Sequence, residues 1–444
     1  MACTAVRTPL LRNTSVRHYA AAAVAQAASQ SGPEVQVLDN KITIAALDCN
    51  SPITYFSVIF RAGSRNETYD TQGLNHYLRT AAGLTTSRSS AFAITRNIQQ
   101  LGANLITSSN RETTTYTLQC TRDNIAKALN FLEDVTTKQV FKPWEISDQI
   151  PRMRYELSTL PETTRILELL HKAAYRTGLG YSLYAPKRQL GKICDETLKH
   201  FVNTYYNAPR CSVVAVGLPL PDVKSFAVNC DLEKCDNGQN EKSKFIGGEI
   251  RKERNSDLAT VAIAVESAGL NNLKEAIAWA VFAKAAGTGP RIKWGSSIAP
   301  LSKTLASAGK TELFGVTSLN TTYSDSGLTG VIFSAEGSRA GELTQAAYKW
   351  LRSPNLSDAD VARGKNELKL EVCHAVDSLS HLHENIIQQL TLTGRVTSPL
   401  ALATEIDKIT PSDVKSVASK CCSGKLAMAA IGNLSTVPFI ENLN

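Results

Sequence analysis

Histidine is the residue type best suited to binding a metal, and the seven histidines of this chain are scattered along it. His381 and His383 are two residues apart in a helical pattern, where they face different sides, so a shared metal ion is not expected. His171, His200 and His374 each stand alone on a predicted helix. Their spacing predicts surface or helix-capping roles.

The cysteines and glycines also lack the spacing that chemistry would need. Cys230 and Cys235 could supply half of a zinc site, but no second pair stands at zinc-finger spacing. The ten cysteines show no disulfide framework, which fits a reducing compartment. The glycine run 285–291 follows a helix and lacks the Gly-Lys-Ser/Thr ending of a phosphate loop. A Ser-His-Asp triad stays possible, although no Gly-x-Ser-x-Gly elbow supports one.

The remaining histidine of the folded part, His76, lies among alternating strand and helix patterns. Residues 53–60 are apolar on both faces, which predicts a strand buried on both sides. The pattern then predicts helices at 72–83 and 92–101, strands at 104–108 and 113–121, mainly helix from 123 to 172, and a closing strand at 211–217.

The second half of the chain repeats this order about 215 residues later. Its predicted elements are a strand at 258–265, helices at 273–284 and from 298, strands at 313–319 and 328–335, helices from 339 and a closing strand at 425–432. A repeat this long indicates duplicated domains, because solenoid units span only ~20–50 residues. The predicted fold class is therefore α+β, with two homologous domains of about 200 residues, each a mostly antiparallel sheet packed with helices.

The predicted domain boundaries follow from this repeat. Residues 229–248 are polar and contain glycine, which predicts a linker that crosses solvent. It would join an N-terminal domain at 40–228, which carries His76, to a C-terminal domain at 249–444. An N-terminal extension at 20–39 would precede them.

The first 33 residues have the composition of a mitochondrial transit peptide. They contain no Asp or Glu, carry Arg7, Arg12 and Arg17, and are rich in Ala, Ser and Thr. Their apolar run is too short for a secretory signal. The segment 17–20, Arg-His-Tyr-Ala, resembles a matrix-protease cut site, so we predict a transit peptide at 1–19 and a mature start at Ala20. An unprocessed tail is the alternative.

Charge and hydropathy argue against two other classes, nucleic-acid-binding proteins and membrane-spanning proteins. The formal net charge is +8, three of which come from the leader arginines, and no Lys/Arg run reaches five residues, which disfavours nucleic-acid binding. No apolar stretch approaches the ~20 residues that a membrane-crossing helix needs. We therefore expect a soluble or peripheral protein with no transmembrane segment of its own.

Two segments resemble a known family. They are residues 60–67, Phe-Arg-Ala-Gly-Ser-Arg-Asn-Glu, and 73–80, Gly-Leu-Asn-His-Tyr-Leu-Arg-Thr. The resemblance is to the inverted-motif zinc peptidases, which include pitrilysin, the mitochondrial processing peptidase and the core subunits of ubiquinol-cytochrome c reductase. In active members the helix motif is His-x-x-Glu-His, whose histidines bind zinc while the glutamate polarises the metal-bound water.

This chain keeps only part of that motif. His76 matches the first histidine, whereas Arg79 replaces the glutamate and Thr80 the second histidine; Glu156 stands where the distal glutamate ligand is expected. Two ligands fall short of the three that catalytic zinc sites use, and an arginine cannot serve as the base. The resemblance implies no catalytic residue, no metal and no cofactor. We expect Arg79 and Glu156 to form an ion pair in the metal's place.

Within the family, the losses at Arg79 and Thr80 and the short glycine loop favour a reductase core subunit over the presequence-binding alpha subunit of the processing peptidase, which is the alternative. The resemblance implies a structural role in respiratory complex III, peripheral on the matrix side of the mitochondrial inner membrane. The implied partners are core protein 1 in a heterodimer, cytochrome b, cytochrome c1 and the iron-sulfur subunit or its presequence, within a dimeric complex. A composite peptidase site shared with core protein 1 is a further alternative.

Overall fold

The computed structural model describes residues 32–236, 238, 241–289, 299–309 and 313–443. The predicted transit peptide, its cleavage point at Ala20 and the end of the glycine run lie outside the described residues. Two mixed sheets, one in each half, organise the rest. None of the described helices is both long and apolar enough to span a membrane.

The N-terminal half is built on a six-stranded sheet of order β1-β2-β6-β3-β5-β4. Only β2 and β6 are parallel, and the other neighbours are antiparallel. The strands are β1 (Glu34–Val37), β2 (Thr43–Leu47), β3 (Ile53–Phe60), β4 (Asn104–Ser109), β5 (Thr114–Thr121) and β6 (Cys211–Val216). The helices are α1 (Leu74–Ala81), α2 (Ala91–Gln100), α3 (Ile125–Thr137), α4 (Pro143–Asp148), α5 (Ile150–Thr159), α6 (Glu162–Tyr175), α7 (Asp195–Tyr205) and α8 (Leu220–Asn229).

The C-terminal half repeats this plan in a five-stranded sheet of order β7-β11-β8-β10-β9. Here β7 and β11 form the parallel pair. The strands are β7 (Gly248–Glu253), β8 (Leu258–Ala268), β9 (Phe314–Thr322), β10 (Ser326–Glu336) and β11 (Leu426–Gly432). The helices are α9 (Leu273–Ala286), α10 (Pro300–Gly309), α11 (Ala340–Arg352), α12 (Asp358–His374), α13 (Leu379–Thr393), α14 (Pro399–Lys408) and α15 (Pro411–Ser423).

The predicted α+β class and the internal repeat are both confirmed. The order β2-β6-β3-β5-β4 corresponds strand by strand to β7-β11-β8-β10-β9, with β1 added at one edge. Strand β3 is buried on both faces along most of its length, as its continuous apolar pattern predicts.

The two halves exchange helices. Ile166, Leu170 and Tyr175 of α6, in the N-terminal half, pack on the C-terminal sheet, where they meet small residues such as Ala262 and Ala429. In the reverse direction, α13 covers the N-terminal sheet through Ile386, Ile387 and Leu390, which contact Ala45, Ile59 and Val214. Each sheet therefore has one face covered by elements of its own half and the other face covered by a helix of the other half.

A polar contact also joins the halves at the turns that end β4 and β9. Arg65 donates to Glu112 (2.7 Å) of its own half and to Ser324 (3.1 Å) and Asp325 (3.0 Å) of the other. Its side chain is only 11% exposed. The buried guanidinium thus bridges two hairpin turns that the repeat places opposite each other.

The predicted linker is more firmly held than a chain that crosses solvent. Cys230 and Phe245 are buried, and Phe245 packs edge-on against Tyr175. The Ser243 backbone N–H donates to Asp325 (2.8 Å). The interpretation as a solvent-crossing segment is wrong at both ends, because Cys230 is buried in the core of the N-terminal half and Phe245 is buried between the halves. The predicted boundaries themselves stay predictions.

Candidate functional site

Helix α1 carries the segment that matches the zinc motif in part, and the close approach of another segment determines where the helix begins. Gly73 precedes the helix with a φ of +90°, a conformation that other residues rarely adopt. A Cβ there would lie 2.3 Å from the Cα of Ala185. Because only glycine fits, the loop that carries Ala185 can lie directly against the helix.

Glu67 holds the start of α1 from the other side. Its carboxylate accepts hydrogen bonds from the backbone N–H groups of Gly73 (2.7 Å) and Asn75 (2.8 Å), and from the Asn75 side chain (3.1 Å). A negative charge suits the positive end of a helix. Burial nevertheless raises the pKa of Glu67 to about 7, while the hydrogen bonds oppose that rise.

His76 is fully buried, and both of its ring nitrogens are engaged. Nδ1 accepts the backbone N–H of Ala185 (3.1 Å), so Nε2 must carry the proton in the neutral ring. Nε2 therefore donates to Oε2 of Glu156 (3.0 Å). Tyr184 packs edge-on against the imidazole, with the ring centroids 5.6 Å apart.

Arg79 and Glu156 form the ion pair that the sequence predicts. Nη2 of Arg79 donates to Oε1 of Glu156, the oxygen that His76 leaves free. The guanidinium also lies 5.5 Å from the centre of the Tyr184 ring. The hydrogen bond from His76 and the charge of Arg79 lower the pKa of Glu156 to about 2, although burial opposes them.

Thr80 takes no part in this cluster. Its hydroxyl donates back to the carbonyl oxygens of His76 and Tyr77, both at 3.0 Å. The structure thus brings together His76, Arg79 and Glu156, and turns Thr80 inward along its own helix. Sequence reasoning missed Tyr184 and Ala185, which approach from a loop more than 100 positions away and carry no motif of their own.

Two of the other histidines are buried, which corrects the prediction for one of them. His171 was expected at the surface or at a helix cap, but it is buried: Nδ1 donates to the carbonyl of Leu167 (2.7 Å) and Nε2 accepts the hydroxyl of Tyr323 (2.7 Å). Burial, and then the charge of Arg111, hold the pKa of His171 well below its usual value. The prediction failed because α6 packs on the opposite half. His383 is buried as well, against the carbonyl of Val214 (3.3 Å).

A cavity of about 370 Å³ lies between the halves, next to this buried histidine. Arg111, Glu168, His171 and Tyr323 line it. Arg111 pairs with Glu168 at 2.9 Å, and Glu112, which also lines the wall, pairs with Arg65 at 2.7 Å. Within the described part of the chain, no three His, Cys, Asp or Glu side chains converge as metal ligands would.

Comparison with known proteins identifies the family of this chain. Residues 43–187 match the model of insulinase, peptidase family M16, and residues 192–368 match the model of the inactive domain of that family. The mitochondrial cytochrome b-c1 complex subunit 2 of Rattus norvegicus is 34% identical over 92% of each chain. The chain belongs to peptidase family M16, as its motif residues predicted.

Two further comparisons also extend over nearly the whole chain. Mitochondrial-processing peptidase subunit alpha-2 of Dictyostelium discoideum is 28% identical, covering 92% of this chain and 94% of its own. A chain of a solved structure, described as complex III2 from Candida albicans with Inz-5 bound, superposes with a TM-score of 0.79. That chain is 18% identical, and the match covers 93% of this chain and 99% of the other. This superposition shows that the two chains share a fold.

Proposed function

We propose that this chain is a non-catalytic structural subunit of the mitochondrial cytochrome b-c1 complex, respiratory complex III. The observation that carries the non-catalytic part is the closed contact among His76, Arg79 and Glu156. Nε2 and both carboxylate oxygens are engaged with each other or with a guanidinium. A catalytic zinc ion needs three protein ligands and a base for its water, and the residues present do not fit it.

The structural part rests on similarity to cytochrome b-c1 complex subunit 2, which extends over 92% of both chains. We infer a peripheral position on the matrix side of the inner membrane and a heterodimer with core protein 1. Contacts with cytochrome b, cytochrome c1 and the iron-sulfur subunit would follow in the dimeric complex. The redox centres would belong to those other subunits.

A second candidate is the alpha subunit of the mitochondrial processing peptidase, which would bind presequences without cutting them. The 28% identity to such a subunit across nearly the whole chain supports it. It is the weaker candidate because the identity to subunit 2 is higher over the same extent.

Metal content and hydrolysis test the non-catalytic part. The purified chain should hold no stoichiometric zinc by elemental analysis, and it should cleave no presequence peptide in a chelator-sensitive way. One tightly bound zinc per chain would overturn the proposal. Cleavage by the pair with core protein 1, but not by either chain alone, would instead establish the composite site.

Migration in mild detergent separates the two structural candidates. Mitochondria solubilised gently and run on a native gel should place this chain with the membrane cytochromes. If it migrates instead as a soluble heterodimer, the processing-peptidase alternative holds and the assignment to complex III fails.

A further inference from the structure

Four positively charged residues from separate segments lie near the first turn of α6, where Glu162 of that turn is 4.0 Å from Arg254. Arg165 lies on α6, Lys187 in a short 3-10 turn, Lys252 on β7 and Arg254 just after that strand. We call these four residues the cationic corner. Burial, and then the charges of Arg254, Arg165 and Lys187, lower the pKa of Lys252, so the charges stand close enough to act on one another.

The corner has almost no counter-charge in the described structure. Glu162 lies 4.0 Å from Arg254 and is 45% exposed. Among the described residues, Arg165, Lys187 and Lys252 have no ion-pair partner. Four cations with one loosely placed carboxylate leave a local excess of positive charge on the surface.

Backbone contacts, rather than acidic side chains, hold the corner in place. Arg165 donates to the carbonyl oxygens of Leu157 (2.7 Å), Leu160 (3.0 Å) and Ser158 (3.1 Å), which end helix α5. The backbone N–H of Arg254 donates to Gly432 of β11 (3.1 Å). The carbonyl end of α5 and the carboxylate of Glu162 offset only part of the positive charge, and an external acidic group would relieve the repulsion that remains.

The corner adjoins a free sheet edge. Among the strands that the structure describes, β7 is the outermost of its sheet and pairs only with β11. Lys252 lies on β7, and Arg254 follows directly after the strand, where its backbone N–H still donates to β11. No large exposed apolar side chain lies on residues 157–165, 185–192 or 248–256 themselves, and the exposed ring of Phe439 lies beside Arg251 of β7.

We propose that the cationic corner and the free edge of β7 form a docking site for an extended acidic segment of a partner protein. The segment adds a strand beside β7, and its backbone groups pair with those left open at the edge. Its alternate side chains are carboxylates that meet Lys252, Arg254 and their two neighbours. The inference does not rest on the function proposed above.

A peptide of ten residues that alternates Glu and Thr tests the site in the full chain, with fluorescence anisotropy at low salt as the readout. The variant Lys252→Gln/Arg254→Gln should bind it roughly fivefold more weakly, which is the expected loss of two exposed ion pairs. The matched control is Lys127→Gln/Lys224→Gln, which removes two exposed charges from α3 and α8. The control should bind as the unchanged chain does.

Hydrogen exchange supplies the second readout. The bound peptide should slow exchange of the backbone amides of residues 248–253, and a peptide that alternates Gln and Thr should not. Circular dichroism establishes that both double variants are folded. The proposal is overturned by equal weakening in the two variants, by absence of protection at β7, or by binding to vesicles that contain phosphatidylglycerol in place of binding to the peptide.

Discussion

At the scale of single residues, Arg79 supplies the positive charge that the zinc motif would otherwise take from a metal ion. His76 keeps the orientation of a ligand, because Ala185 fixes Nδ1 and Nε2 points at Glu156. Glu156 keeps the ionised state of a ligand, since its pKa is lowered to about 2. Thr80 and Arg79 stand at the positions that the motif gives to the second imidazole and the base.

Removing the charge of Arg79 should weaken this cluster. In Arg79→Met, Glu156 keeps only the hydrogen bond from His76, and we expect the free energy of unfolding to fall by about 1 kcal/mol, a value discounted for partial exposure. The depressed pKa of Glu156 makes the loss fully present above pH 4.5, and it should vanish as the pH falls toward 2. Urea unfolding across this pH range measures it. A loss that does not change with pH would contradict the account.

Restoring the motif should restore metal binding. The double variant Arg79→Glu/Thr80→His would supply a second imidazole one turn from His76 and remove the cation that occupies Glu156. We expect about one zinc per chain by elemental analysis after dialysis. The single variant Arg79→Glu is the control and should hold far less. If the double variant also binds none, Glu156 does not stand where the family places its distal ligand.

Glu67 should give the opposite pH dependence. Its pKa is raised to about 7 from an ordinary 4.5, so the stability contributed by its neutral form is present below pH 4.5 and lost as the pH rises through 7. Relative to Glu67→Gln, which cannot ionise, the unchanged chain should lose roughly 3 kcal/mol of unfolding free energy across that range. Chemical denaturation at several pH values measures the difference. A constant difference would show that the pKa of Glu67 is the same in the folded and the unfolded chain.

The sequence predicted the ion pair of Arg79 and Glu156 because the motif places both residues at the same site and their charges are opposite. It could not reach Tyr184, Ala185 or the Tyr323 partner of His171. Those contacts depend on how loops and the other half approach, and a residue's own neighbours in sequence contain no information on that approach.

At the scale of elements, periodicity predicts that a helix has an apolar face but not which sheet covers it. The strands and helices around His76 lie within a few residues of their predicted limits. The exchange of α6 and α13 between the halves was not predicted, because either sheet offers a suitable apolar surface. His171 was misplaced for this reason.

The exchange predicts that a cavity in α6 will disturb the opposite half. Leu170→Ala, at a fully buried position against the C-terminal sheet, should cost 2–5 kcal/mol, roughly the usual range for such truncations. Hydrogen exchange should speed up in β8 and β11. Leu198→Ala is the matched control, since Leu198 is equally buried but belongs to the N-terminal core. If both variants affect the same strands, the halves are not coupled through α6.

At the scale of the whole molecule, exchanged helices make the repeat a single cooperative structure. Separate expression of residues 20–228 and 229–444 should therefore give two chains without a sharp thermal transition, because each would expose the sheet face that the other's helix covers. Mixing them during refolding should recover a one-to-one complex, seen by size-exclusion chromatography, with the α6 and α13 contacts restored. Recovery should fail when the first fragment carries Leu170→Asp, which places a charge in the exchanged interface. A cooperative thermal transition in either fragment alone, at a temperature near that of the intact chain, would contradict this account. Each half would then form a stable core by itself, and the packing of α6 and α13 on the opposite sheets would not be required for folding.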